Sequence, residues 1–178
     1  MFPPQSPEFT KLAFGTVDWQ VSEGQNRYRR GLYTFWKRTT PYPSFTTFDA
    51  PSGDTTRVSR NRSNTPLQAL TLLNDPVFVE AAQAFALSIL QEAPFSTLDR
   101  IRYAFQRCVS RYPDPAEAEA VELYYHKQMA RIRAGEVDLG KVISVTTPLP
   151  PGVDSYQLMA WTTVARVLLN LDRTISKD

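Results

Sequence analysis

The chain has 178 residues, 42% of them hydrophobic and 21% charged, ordinary globular values that exclude a disordered chain. A net charge of +2 names no partner, and the single cysteine, Cys108, excludes an internal disulfide and any cysteine-based zinc site. No stretch reaches the roughly 18 apolar residues of a membrane span, and the start, MFPPQSPEF, has neither the positive region nor the apolar run of a signal peptide, so this polypeptide expressed alone is expected in the cytoplasm.

Residues 1–25 read as irregular, with FPPQSP extended and FGTVDWQVS a short strand or packed loop. In NRYRRGLYTFWKRTT, Tyr28, Leu32, Phe35 and Trp36 fall at i, i+4, i+7 and i+8, which predicts one apolar helix face with Arg29, Arg30, Tyr33 and Lys37 opposite, weakened by Gly31 and ended by Pro41 and Pro43. The same run could be a nucleic-acid surface with stacking aromatics, but its spacing favours an amphipathic helix with a cationic outer face, and no nucleic-acid partner is expected. Charge is uneven along the chain, with nine basic against five acidic residues up to residue 62 and eleven against thirteen after it.

A Pro/Thr-rich loop of about 25 residues follows, longer than most structureless connections. It carries Asp49, Arg57, Arg60, Arg62 and Asn64, with Asn74 beyond it, and these are the candidate binding residues. Three guanidiniums within six residues suit bidentate binding of carboxylate or sulfate. Alternatively, Asp49 pairs with one or two of the arginines and the loop is locked onto the bundle.

RSNTPLQALTLLNDPVFVEAA then holds two capping signals, Thr65-Pro66 and Asp75-Pro76, around a short apolar run. It predicts a short helix through Leu67, Leu70 and Leu73, a corner left through a left-handed Asn74, and a second helix with a stripe of Phe78, Val79, Ala82, Phe85, Ala86 and Ile89. STLDRIRYAFQRCVSR predicts a helix with Leu98, Ile101, Phe105 and Cys108 on one face, which makes Cys108 a buried structural thiol. PDPAEAEAVELYYHKQMARIRAG is acidic at its start and basic at its end, as the helix dipole favours, and stops at Gly135. Residues 136–151 read as a loop, and SYQLMAWTTVARVLLNLDRTIS as a last helix presenting Leu158, Trp161, Val164, Ala165, Leu168 and Leu171.

The expected fold is therefore mainly α, an irregular bundle of about five helices with a long Pro/Thr-rich N-terminal region and loop. No catalytic constellation is recognisable. His126, the only histidine, sits on the long helix without a carboxylate placed to orient it and reads as a surface residue, and no ligand spacing for a metal occurs. No glycine-rich phosphate loop, haem attachment sequence or serine hydrolase motif is present, so no cofactor is expected in this chain.

YRRGLYTFWKRTTPYPSFTTFDAP, RSNTPLQALTLLNDPVFVEAA and AWTTVARVLLNLDRTIS together resemble the carboxy-terminal part of a planctomycete family, domain of unknown function 1553. The resemblance implies a large extracytoplasmic or periplasmic protein, often with a planctomycete cytochrome c domain, so that haem would belong to an upstream domain. It implies Asp49, Arg60, Arg62, Asn64, Thr65, Gln68 and Asn74 as motif positions without established roles. Where the family pattern usually has an Arg-Glu pair and a Cys, this chain has Gly53, Asp54 and Thr56, so a site depending on that Cys is not carried over. It also implies that residues 1–178 are a single domain opening mid-fold, with the upstream remainder as partner. Two functions of different class follow: a non-catalytic module docking in a larger protein, or part of an enzyme or binding protein acting on an anionic polysaccharide through the arginine loop. Aromatic residues crowded before residue 20 point to self-association of the isolated chain.

Overall fold

The computed structural model describes residues 1–5, 8, 18–38, 40–93, 96–138, 142 and 150–175, which form two compact units, Met1–Gln68 and Ala69–Asp178. The described residues are helical and contain no strand. The helices are α1 (Pro43–Thr47), α2 (Pro66–Asn74), α3 (Pro76–Glu92), α4 (Thr97–Val109), α5 (Pro115–Arg133), α6 (Ser155–Leu169) and α7 (Asp172–Ile175). Mainly α is thus the observed class, with five helices of nine residues or more among the described residues.

In the C-terminal unit every long helix starts on a side chain that the sequence supplies. Ser96 accepts from Asp99 N, Asp154 from Tyr156 N, and Asp114 from Glu117 N while the Glu117 carboxylate returns a bond to Asp114 N, a complete capping box. The end of α5 is equally defined: Gly135, at φ +73°, lets Gly135 N reach Ile132 O at 3.1 Å and Glu136 N reach Arg131 O at 3.1 Å. The centre of the unit is α6, where Leu158 to Thr162, Val164, Ala165 and Leu168 are all buried, so that it is covered on nearly every side. It packs against α3 and α5 and touches α4 and α7. Trp161, fully buried, lies 4.9 Å from the Tyr125 ring, and Ala82, Ala86, Ile89, Ile101, Ala104 and Phe105 close the core around it. Arg111 grips Glu117 with two bonds of 2.7 and 2.6 Å and places its guanidinium 5.8 Å from the Phe105 ring, tying the end of α4 to the start of α5.

The N-terminal unit is built differently. Phe2 stacks on Phe35 at 5.0 Å and meets Trp19 edge-on at 5.1 Å, Trp19 Nε1 donates to Pro3 O, and Phe45 contacts both Trp36 and Tyr42. The helix predicted from the spacing of Tyr28, Leu32, Phe35 and Trp36 does not form. Two 3-10 turns, Gly24–Tyr28 and Gly31–Tyr33, stand there, separated by extended residues. Tyr28 is 69%, Leu32 82%, Phe35 36% and Trp36 40% exposed, so none of the four residues expected on one apolar face is buried. The physical reason is Gly31: a Cβ there would meet Phe45 Cε1 at 3.1 Å, and the backbone is drawn onto the Phe45 ring instead of coiling.

The short helix expected through Leu67, Leu70 and Leu73 forms as α2, although Leu67 and Leu70 are 59% and 57% exposed and its buried residue is the polar Gln68. One further expectation needs correction. Asn74 does not leave α2 in a left-handed conformation; its side chain donates back to Leu70 O at 2.8 Å, and Asp75 turns the corner in an extended conformation. The N-terminal segment holding Phe9, Leu12 and Phe14, and most of the loop expected over residues 136–151, lie outside the described residues; Val142 within that loop is helical and buried.

Candidate functional site

The loop that carries the arginines is organised by the end of α1. Asp49 takes the left-handed position after this helix, φ +58°, with Ala50 N bonded to Phe45 O and Asp49 N to Thr46 O. Aspartate is tolerated there better than a β-branched residue, and its short carboxylate then turns toward the far end of the loop. Asp49 Oδ2 accepts from Ser63 N at 2.9 Å and from Ser63 Oγ at 2.6 Å. Arg60 donates to Asp49 O at 3.1 Å and to Phe48 O, so a cation sits on the carbonyls just beyond the end of α1.

The second half of the same knot is the start of α2. Thr65 Oγ1 accepts from Gln68 N at 3.2 Å and Gln68 Oε1 accepts from Thr65 N at 3.1 Å, a capping box built with glutamine. Gln68 Nε2 goes on to donate to Thr47 O, to Ser63 Oγ and, at 3.5 Å, to Asp49 Oδ2. With its side chain fully enclosed, Gln68 joins α1, the loop and α2 through four bonded neighbours.

The candidate residues therefore separate. Asp49 and Arg60 meet, but through the Asp49 carbonyl rather than an ion pair with its carboxylate, and they close the loop together with Ser63, Thr65 and Gln68. Asn74 is engaged by its own helix. Arg62 and Asn64 are exposed on the loop, and each has an interaction partner. Asp75 Oδ1 accepts from Val77 N at 2.9 Å, and burial pushes its carboxyl above the ordinary range, the Val77 bond only partly opposing this.

Arg57 remains, on a cleft of about 200 Å³ that is lined also by Trp36, Pro41, Phe45, Thr46, Asp49, Ala50, Ser52 and Asn61. Gly53, at φ +78°, passes the Trp36 ring, and a Cβ there would touch it at 3.8 Å, so the turn keeps the indole uncovered only with a residue tolerant of positive φ. Trp36, Phe45 and Asn61 were not among the residues that sequence reasoning selected as binding groups; the spacing of Trp36 and Phe35 suggested core, and nothing local marks Asn61. Arg38 pairs with Asp54 at 3.1 Å on the open surface.

In the C-terminal unit, a groove of about 390 Å³ is lined by Ala81, Phe85, Arg107, Cys108, Leu169 and Thr174. Burial pushes the Cys108 thiol up to about 11, so it stays protonated near neutrality and is a poor nucleophile. His126 is exposed, and among the described residues no three of the His, Cys, Asp and Glu side chains stand close enough to hold a metal.

The model of PSD1, a protein of unknown function (DUF1553), matches residues 1–125. The chain belongs to this family. The match takes in the arginine loop, both capping boxes and most of α5, while the phrase at residues 160–176 lies beyond it. No curated protein and no solved structure matches the chain. Among the described residues of this DUF1553 member, no helix is long and apolar enough to cross a membrane.

Proposed function

We propose that this DUF1553 chain is a non-catalytic helical module that docks onto the upstream remainder of a larger extracytoplasmic protein through residues 28–36. The supporting observation is the face itself: Tyr28, Leu32, Tyr33, Phe35 and Trp36 are all exposed, with Leu32 at 82%. Arg27 and Arg29 lie over the Tyr28 and Tyr33 rings at 6.0 and 5.6 Å, so the face is apolar with a cationic border and suits a partner surface that is apolar and acidic. Met1 runs beside it, its amine donating to Tyr33 O and its carbonyl accepting from Phe35 N, so residues joined upstream would be delivered to this face.

Adding the family's upstream segment, in cis or in trans, is expected to raise the thermal midpoint of residues 1–178 and to slow hydrogen exchange at residues 28–36. Leu32→Asp should remove both effects without unfolding the isolated chain. An unchanged midpoint, with a monodisperse monomer by light scattering at every concentration, would sink the docking reading; association of the isolated chain alone would make a second copy the occupant. A second reading, recognition of an anionic polysaccharide by the arginine loop, is favoured by one observation: among the described residues Arg57 makes no ion pair, and it lines the cleft.

A further inference from the structure

We infer that the cleft between Trp36 and Arg57 is a subsite for one acid-bearing sugar ring, a hexose with a carboxylate or a sulfate ester. The inference rests on the second reading above, in which Trp36 stays uncovered, and is therefore an alternative to docking through Trp36.

The chemistry of the cleft is mixed in a specific way. Trp36 and Phe45, with ring centroids 5.5 Å apart and 31° between planes, form an aromatic wall, and Trp36 is 40% exposed. A sugar ring has one face of C–H groups, which packs on such a wall, and a rim of hydroxyls, which needs donors and acceptors around it. Thr46, Ser52 and Asn61 supply neutral ones along the cleft. Arg57 supplies a planar fork of N–H donors at the exposed side, matched to a carboxylate or sulfate.

One anion lines the cleft, Asp49, and it makes no ion pair with Arg57 among the described residues. Asp49 Oδ2 accepts from Ser63 N, Ser63 Oγ and Gln68 Nε2. Asp54 is paired with Arg38. The remaining charge of Asp49 repels a second anion, which directs the acid group of a ligand to the Arg57 side. The volume of about 200 Å³, below the roughly 300–1,000 Å³ of sites that enclose a drug-sized molecule, suits one ring and its acid group.

The frame is fixed before any ligand arrives. Asp49, Arg60, Ser63 and Gln68 close the loop at its base, so Arg57 sits on a strap whose two ends are bonded to each other. Such preorganisation reduces the ordering cost of binding.

The test is titration of the full chain with D-glucuronate, glucose 6-sulfate, glucose, inorganic sulfate and dextran sulfate, read on the Trp36 indole N–H signal, assigned by its loss in Trp36→Phe. The two acid sugars are expected to move that signal and to bind at least tenfold more tightly than glucose or inorganic sulfate. Arg57→Ala, at an exposed position, should weaken both acid sugars about tenfold and leave the Trp161 indole unmoved, with Arg57→Lys between. A response to glucuronate alone or glucose 6-sulfate alone would identify which acid the fork takes and still support the subsite. Equal binding of glucose, equal binding of inorganic sulfate, or indifference to Arg57→Ala would overturn it. Dextran sulfate binding that ignores Trp36→Ala would leave the polysaccharide reading standing while removing the ring subsite, and no binding by any probe would remove both.

Discussion

In the C-terminal unit, α3 to α6 bury Ala82, Ile89, Ile101, Phe105, Met129, Leu158, Trp161 and Leu168 in one continuous core; among the described residues of the N-terminal unit only Pro3 and Gln68 are buried. One unit is held by area removed from water, the other by aromatic edges, capped turns and a polar knot. Hydrophobic burial is non-directional and tolerates repacking, whereas a knot of hydrogen bonds works only when each partner is present. That difference has consequences for how each half responds to substitution, and for where binding groups are found: a surface frame held by directional bonds can leave Trp36 and Arg57 uncovered, which a hydrophobic core cannot do.

The largest expected contrast is between two tryptophans. Trp161→Ala should cost about 3–5 kcal/mol in denaturant unfolding, because a fully buried ring leaves a cavity. Trp36→Ala should cost about 1 kcal/mol, the scale of its aromatic pairing with Phe45. Equal costs would mean that the two units are not held differently. Next in size, Gln68→Ala should cost about 1–3 kcal/mol by orphaning Thr47 O and breaking the Thr65 capping box. Its signature is local, with faster amide exchange at Ser63 and Thr65 and no change within α6; uniform acceleration across both units would refute a knot confined to the loop.

Asp75→Ala should cost about 1 kcal/mol as a lost helix cap. Burial raises the Asp75 pKa, so its contribution is greatest below the unfolded-state value and declines as pH rises through the folded one; Asp75→Asn, which keeps an acceptor, should therefore match or exceed wild type at pH 7. A thermal scan in which Asn behaves like Ala would exclude the cap. The smallest effect concerns Glu117, held down to about 2 by the Arg111 side chain and the Asp114 amide. Its stabilisation is present above the ordinary carboxylate value of 4.5 and is lost as pH falls toward about 2, so Glu117→Gln should lower the midpoint at pH 7 and converge with wild type near pH 2. Both partners are about one-third exposed, and salt should shrink the difference.

How legible each half was follows from the same contrast. The stripes of α3, α4 and α6 and the caps before them are periodic signals several turns long, and the helices start where the pattern predicts them, although the last one ends at Leu169 and α7 follows as a separate turn. The run from Tyr28 to Trp36 carried an equally good 3.6-residue period, yet tertiary contact at Gly31 decided against it, which periodicity cannot register. At the site, Asp49 and Arg60 were visible as polar residues in a long loop, but their pairing through a carbonyl depended on Asp49 occupying a left-handed position. Gln68 was readable in principle, three residues after Thr65 in capping-box spacing. Asn61 and the Trp36 wall were not, because a cleft is made by distant residues that share no local pattern.

The position of α6 in the chain bears on biosynthesis. Its buried surface is what α3, α4 and α5 pack against, yet it spans Ser155–Leu169 and is translated after all of them. At about 5–20 residues per second, the apolar stripes of three helices wait for seconds without their common partner. Nascent chains ending before Ser155 should therefore remain protease-sensitive, bind hydrophobic dyes and engage holdase chaperones, and protection should appear only once Leu169 has cleared the ribosome. A chain ending at residue 150 that already resists protease would show that α3 to α5 can close on one another. Otherwise the module is competent only when α6 has been made, so a premature stop before it removes the whole core rather than one helix.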